Sequence, residues 1–367
     1  MRVLLARPAR VTACTALLLL GFVLVAAYAG LLAPRRPLFG WVRVVALDFD
    51  AVTGGPAPGA RNVFLVEASC ALDDSPPAQD TAESGLVLSP RAACALESAA
   101  RAHPSHSVYL VHTCPVDVEA TWRGAAPAHA LAALTLPNVF VWPAPPQRLL
   151  RHSALDALQA LAARHAHADG RAPWPLPYAS LLLRYFLLWK YGGLYLDSDV
   201  FVLKALDAAG GADFAVAEGA AEVSGSALAF SWGATGRRVA AACLNDSLLL
   251  RPEGASRVHA ADQVVTHALA RLCGSDKVSE MTAARCQGFR VLAPSAVAPV
   301  PQEEWFRLFS EEGAEETLRA VAASAAVHTW QQRSGAARVD PGSGQPLAHI
   351  ARDACPAVLA ALDGQLF

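Results

Sequence analysis

Between Pro175 and Leu206 the spacing of apolar residues changes from a helical to an extended period. Leu182, Tyr185, Phe186 and Trp189 recur at three- and four-residue intervals, which predicts a helix over Tyr178 to Tyr191 that opens near Pro177 and buries one face. Gly192-Gly193 stops it, because two glycines permit the positive φ that a helix C-terminus requires. Leu194, Tyr195 and Leu196 then start a β run, which Asp197-Ser198-Asp199 interrupts and Val200-Phe201-Val202-Leu203 resumes. Side chains two apart on an extended segment point the same way, so the two carboxylates are expected side by side.

The pattern elsewhere alternates strands with helices. Val63 to Val66, Val108 to Val111 and Val139 to Trp142 are short apolar runs, and Leu88 to Ala102 reads as a helix with Pro90 in its first turn. That rhythm predicts an α/β fold with a mostly parallel central sheet. A further helix is expected over Leu149 to His167. After the acidic strand, Asp213 to Ala217 and Ala227 to Phe230 read as strands with Gly225 and Gly233 marking turns, and Arg238 to Leu250 and His259 to Leu272 read as helices. Arg290 to Leu292 is a short strand, Trp305 to Phe309 is amphipathic and Glu315 to Ala323 is helical. Ala325 to Trp330 is a small apolar strand ending in His-x-Trp.

Length and charge narrow the function classes. The 367 residues suffice for a sizeable core, and a net charge of -2 gives no sign of a nucleic-acid partner. Val11 to Ala33 is a stretch of 23 residues without a charge, long enough to cross a bilayer, preceded by Arg2, Arg7 and Arg10. The expected organisation is a cytoplasmic tail at 1–10, a transmembrane signal anchor at 11–33, a stem at 34–60 and a lumenal domain at 61–367. Ala27-Tyr28-Ala29 leaves a cleaved signal peptide as the alternative. Either route delivers the domain to the secretory lumen. Of the eight cysteines, seven follow the apolar span, so disulfides with at least one thiol left over are expected, and no spacing suggests zinc. Asn245-Asp246-Ser247 is an N-glycosylation sequon.

Two like charges held close call for a divalent cation, a shared proton or heavy solvation. Carboxylate oxygens with room left for phosphate suit magnesium or manganese, and His328 is a candidate third ligand for Asp197 and Asp199. The plainer alternatives are a solvated acid pair and a core histidine satisfied by backbone. A second acidic pair, Asp48 and Asp50, follows the apolar run Val44 to Leu47. It resembles the nucleophile strand of haloacid-dehalogenase-type phosphatases, with Asp48 as nucleophile and Asp50 as acid/base. Such a site needs a downstream lysine, and the chain has Lys190, Lys204 and Lys277, of which Lys190 stands near the end of the long helix; no matching second acidic motif follows, so a stem or edge strand is the preferred reading of that segment.

A longer series of residues resembles one family, the α1,4-glycosyltransferases with a DXD motif, which includes galactosyl- and N-acetylglucosaminyltransferases. It comprises Arg184, Trp189-Lys190-Tyr191-Gly192-Gly193, Tyr195-Leu196-Asp197-Ser198-Asp199 and Phe201-Val202-Leu203-Lys204. It continues in Phe64 to Ser69, Cys94 to Ala100, Gly225 with Ala229-Phe230, Pro299 to Trp305, His328-Thr329-Trp330 and Cys355-Pro356, so it covers Asn62 to Pro356. The resemblance implies a GT-A type nucleotide-sugar-binding domain behind a type II Golgi membrane anchor, able to form homo- or hetero-oligomers. It implies a retaining hexosyltransferase of glycosphingolipid biosynthesis, moving galactose or an N-acetylhexosamine from a UDP-sugar to a glycolipid or glycan acceptor. It implies Mn2+ or Mg2+ on Asp197, Asp199 and His328, and donor contacts from Arg184, Tyr195, Asp197, Asp199, His328 and Trp330. No catalytic nucleophile is assigned. The chain departs from the family pattern at Leu181, which replaces an Asp, and at Ser224, Ala261-Asp262 and Gln331. Those departures imply altered sugar contacts and keep open a second reading, a catalytically weak homologue that binds UDP-sugar or glycan as a partner or chaperone subunit.

Overall fold

The inner strands of the central sheet are buried on both faces, and the sequence provides for it with nearly continuous apolar runs. In the computed structural model, residues 43–44, 56–67, 88–112, 128–143, 176–206, 213–249 and 260–367 are described. In chain order these give β1 (Arg43–Val44), β2 (Asn62–Glu67), α1 (Pro90–Ala102), β3 (Ser107–His112), α2 (Ala128–Leu134), β4 (Val139–Pro143), α3 (Leu176–Tyr191), β5 (Gly193–Leu196) and β6 (Val200–Val202). They continue with β7 (Phe214–Glu218), β8 (Glu222–Phe230), α4 (Ala234–Leu249), α5 (Ala260–Cys273), β9 (Arg290–Leu292), a 3-10 turn (Gln302–Leu308), α6 (Ala314–Ala322) and β10 (Ala326–His328). Three helices close the chain: α7 (Gln331–Ser334), α8 (Pro346–Ala354) and α9 (Pro356–Leu362).

The eight-stranded sheet has the order β1-β4-β3-β2-β5-β8-β7-β9, and β6 pairs with β10 in a separate two-stranded sheet. β1, β4, β3, β2 and β5 run parallel, as does β9 on β7, whereas β8 is antiparallel to both β5 and β7. The expected mostly parallel α/β sheet is present. Period-two alternation divides its side chains between two cores. Val63, Leu65 and Leu110 pack with α1, α2, α8 and α9 on one side, while Phe64, Val66, Tyr109 and Trp142 pack with α3, α4 and α5 on the other. Phe64 and Tyr109 stack at 5.6 Å between ring centroids.

Several boundaries differ from expectation for physical reasons. α3 is not an amphipathic helix: Leu181 to Leu188 are all buried, because one side meets the sheet and the other meets α4. β8 starts at Glu222, so Gly225 lies inside a strand rather than in a turn. Trp305 lies in a 3-10 turn. Arg43 and Val44 pair with Phe140 and Val141 at the sheet edge, within the segment expected as stem. Asp48, Asp50, the apolar span 11–33 and the helix expected over Leu149 to His167 lie outside the described residues. Among the described residues no helix is long and apolar enough to cross a membrane.

Gly192 and Gly193 have φ of 66° and 121°, and a Cβ on Gly193 would lie 2.4 Å from the carbonyl oxygen of Asn62. Glycine therefore lets the chain leave α3 and lie at once against β2. Among the described residues Cys94 pairs with Cys355 and Cys273 with Cys286, and Cys243 is a buried thiol. Beside the first bridge, the buried Glu97 accepts from the backbone N–H groups of Ala357 and Val358 at 3.0 and 2.7 Å, capping the first turn of α9.

Candidate active site

The acidic pair occupies a turn, not a strand. β5 ends at Leu196, Val200 N–H returns to the carbonyl of Asp197 at 3.1 Å, and β6 leaves in the other sheet. The two carboxylates therefore converge through turn geometry rather than through alternation along one strand. Asp197 N–H donates to the carbonyl of Ser226 at 2.8 Å, which fixes the turn to β8.

The pairing of β10 with β6 delivers the third group. His328 sits opposite Val200, and its Nε2 lies 3.2 Å from Oδ1 of Asp199. Ligand atoms of Asp197, Asp199 and His328 all lie within 4.8 Å of one another. Their side chains are 27, 13 and 12% exposed, dry enough for strong electrostatics yet open to a ligand. Nδ1 of His328 is buried with no hydrogen-bond partner among the described residues. Two carboxylates and an imidazole whose other ring nitrogen is unsatisfied fit a small divalent cation.

Each carboxylate is oriented from its far side. Arg184 donates from Nη2 to Oδ1 of Asp197 at 2.7 Å and from Nη1 to the carbonyl of Gly225 at 2.6 Å. Tyr195, two residues before Asp197, donates its hydroxyl to the same Oδ1 at 2.8 Å, and the guanidinium lies 4.5 Å from its ring centroid. Both Arg184 and Tyr195 are buried and spend these groups on Asp197, so their orientation is inward. Asp199 accepts at Oδ2 from Gln331 N–H at 2.7 Å, and its carbonyl accepts from Thr329 N–H and Oγ1 at 2.9 and 3.0 Å.

Burial and this wiring separate the two acids. Burial pushes Asp197 above the usual carboxylate range, against the pull of Arg184. Burial acts on Asp199 in the same sense, but His328 and the Gln331 N–H outweigh it and hold Asp199 below that range. Burial would lower His328, and Asp199 reverses this, so the imidazole is raised.

Trp330 covers the site. Its ring lies 4.0 Å from that of His328, its Nε1 donates to the carbonyl of Val300 at 2.9 Å, and its backbone is left-handed at φ 57°. All six sequence-expected site residues thus meet in one place. Leu181 is buried in the core formed by α3, α4 and α5. Asn245 is exposed on α4, and Ser247 of its sequon turns inward to the carbonyl of Cys243.

Two contributors carried no sequence signal. Arg91, buried in the first turn of α1, donates to Oε1 of Gln331 at 3.1 Å and to the carbonyl of Ser334 at 2.9 Å, tying down α7 beside Asp199. Glu218, at the end of β7, adds a third negative charge that acts on His328. Only the pairing of distant segments brings either to the site.

Two family models match the chain: "Glycosyltransferase sugar-binding region containing DXD motif" over residues 89–215 and "Alpha 1,4-glycosyltransferase conserved region" over 234–362. The chain is 30% identical to the lactosylceramide 4-alpha-galactosyltransferase of Gorilla gorilla gorilla over 306 residues, covering 82% of this chain and 83% of that one. The Mus musculus enzyme of the same name is 31% identical over 302 residues, covering 82% and 75%. The Homo sapiens alpha-1,4-N-acetylglucosaminyltransferase is 24% identical over 275 residues, covering 72% and 73%.

Proposed function

The chain belongs to the α1,4-glycosyltransferase family, and from that premise we propose that it is a retaining, metal-dependent transferase of GT-A architecture. It moves galactose or an N-acetylhexosamine from a UDP-sugar, in α1,4 linkage, onto a glycolipid of the lactosylceramide kind or onto a glycoprotein glycan. The names of its relatives support the linkage and the acceptor class. The reading further places the domain in the Golgi lumen behind a type II anchor at residues 11–33, with glycan on Asn245.

The observation that carries this reading is the convergence of Asp197, Asp199 and His328, backed by Arg184. As the sugar–phosphate bond breaks, negative charge grows on the UDP oxygens. Asp197, Asp199 and His328 would hold a divalent cation, Mn2+ or Mg2+, which would supply the compensating charge. Arg184 and Tyr195 fix one oxygen of Asp197, and the Gln331 N–H fixes one of Asp199. Neither carboxylate then has to reorganise during the reaction. Trp330 packs on His328 and limits the movement of the imidazole.

The test is transfer from UDP-galactose and UDP-N-acetylhexosamines to lactosylceramide-type acceptors, with manganese present or chelated. Manganese-dependent transfer that Asp199→Ala abolishes is the expected result. Leu181 favours a second reading, because an alkyl group there offers nothing to a sugar hydroxyl. Metal-dependent UDP binding without turnover on any donor would establish that weaker homologue. Phosphatase activity lost in Asp48→Asn and kept in Asp197→Asn would overturn both.

A further inference from the structure

Three residues of β8 leave its ladder with β7 beside the acidic turn. Gly225, Ser226 and Ala227 fall between the pairs Ala215–Leu228 and Val216–Ser224, with nothing opposite them on β7. A peptide pushed out of a ladder must find other partners, and such bulges redirect groups next to active sites. The Gly225 N–H donates to Oδ1 of Asp262 at 2.6 Å, and its carbonyl accepts from Nη1 of Arg184 at 2.6 Å. Arg184 continues to Oδ1 of Asp197 at 2.7 Å. A Cβ on Gly225 would lie 2.5 Å from Nη1 of Arg184 and 2.8 Å from the Cβ of Ala261, so only glycine allows the strand this close to both helices. Asp262 thus reaches Asp197 through one glycine residue and one guanidinium.

An ordinary explanation for Asp262 is a first-turn acid that favours the N-terminus of α5. That helix is already docked by another residue. Thr266 Oγ1 accepts from Val223 N–H at 2.8 Å and donates to the carbonyl of Asp262 at 2.6 Å. Holding a charge at Asp262 is also unfavourable to the fold, since burial and the neighbouring Glu218 push its carboxyl up to about 6. A costly charge wired to a metal-site carboxylate indicates a use beyond helix stability.

Resting on the UDP-sugar reading of the site, we propose that Asp262 is a positioning residue. It aims the Gly225 carbonyl at Arg184, and so fixes Asp197 in the orientation that a metal-bound diphosphate requires. A carboxylate accepting the Gly225 N–H fixes the glycine on one side of its Cα, and so the direction in which its carbonyl meets the guanidinium on the other. Asparagine keeps an acceptor oxygen but removes the charge, and alanine removes both.

The experiment measures UDP binding by calorimetry, with Mn2+ and with EDTA, for the full chain, Asp262→Asn and Asp262→Ala, together with melting temperatures. Expected are metal-dependent UDP binding by the wild type, affinity about tenfold weaker for Asp262→Ala, and intermediate weakening for Asp262→Asn. That tenfold is equivalent to about 1.4 kcal/mol. Asp262→Asn should melt higher than the wild type while binding less well, a combination that a helix-stabilising role does not produce. A lower melting temperature with unchanged UDP affinity in Asp262→Asn overturns the proposal, and if Asp262→Ala does not fold, the Asn variant decides. Wild type without metal-dependent UDP binding overturns the site reading itself; wild-type binding beside unchanged variants overturns only the role of Asp262.

Discussion

The backbone N–H of Gln331 reaches Oδ2 of Asp199 at 2.7 Å, across a separation of 132 residues. It does so because the preceding residue, Trp330, is left-handed, a conformation that costs a non-glycine residue about 1–2 kcal/mol. The Trp330 side chain offsets that cost by stacking on His328 and bonding to Val300. Trp330→Ala keeps the strain and loses the compensation. It should destabilise the protein by about 3–5 kcal/mol and weaken UDP binding. Urea unfolding checks the first part, and a variant of wild-type stability would refute this account.

Gly225→Ala tests the close approach of β8 to Arg184. The added Cβ would meet Nη1 at 2.5 Å, so the guanidinium must move and release Asp197. Overpacking of this kind costs roughly 1–3 kcal/mol in stability. The second consequence is for the donor, whose KM should rise because Asp197 loses its guanidinium partner. An unchanged donor KM would show that Arg184 does not orient Asp197.

Asp262 predicts the sign of a pH dependence. Its carboxyl is raised to about 6 in the fold from 3.8 in the unfolded chain, so the folded protein binds the extra proton between those values. The stabilisation from that proton is complete below about pH 4 and is lost as pH rises through about 6. Asp262→Asn should therefore match the wild type near pH 4 and exceed it above pH 6, by at most about 3 kcal/mol. Denaturant titrations at the two pH values measure the difference, and a gap of equal size at both would be inconsistent with it.

The Cys94–Cys355 bridge closes a separation of 261 residues between α1 and the start of α9. Glu97 caps α9 one turn further along the same helix. Replacing both cysteines with alanine should cost about 2–5 kcal/mol, chiefly by releasing the unfolded chain. Because neither cysteine bonds to Asp197, Asp199 or His328, folded double-alanine protein should keep metal-dependent UDP binding. Calorimetric melting and UDP titration together check both halves.

Local chemistry by itself determined much of this protein. The glycine pair after α3, the apolar runs of β2, β3 and β4, and the Pro90 start of α1 are set by backbone preference and period, which act over a few residues. The residues Asp197, Asp199 and His328 were identifiable because carboxylates and imidazoles are scarce inside apolar strands. Tertiary structure decided how they meet. The sequence presents the acidic pair as one interrupted strand, but β5 and β6 belong to different sheets, and only strand pairing across the chain settles that. Arg91 and Glu218 gave no local sign, since their roles depend on partners far away in sequence. Asp262 stood out in the sequence only as a departure from the family pattern. Its link to Asp197 exists because a bulge in β8 turns the N–H and the carbonyl of one glycine toward two helices, a contact that depends on long-range packing rather than residue type.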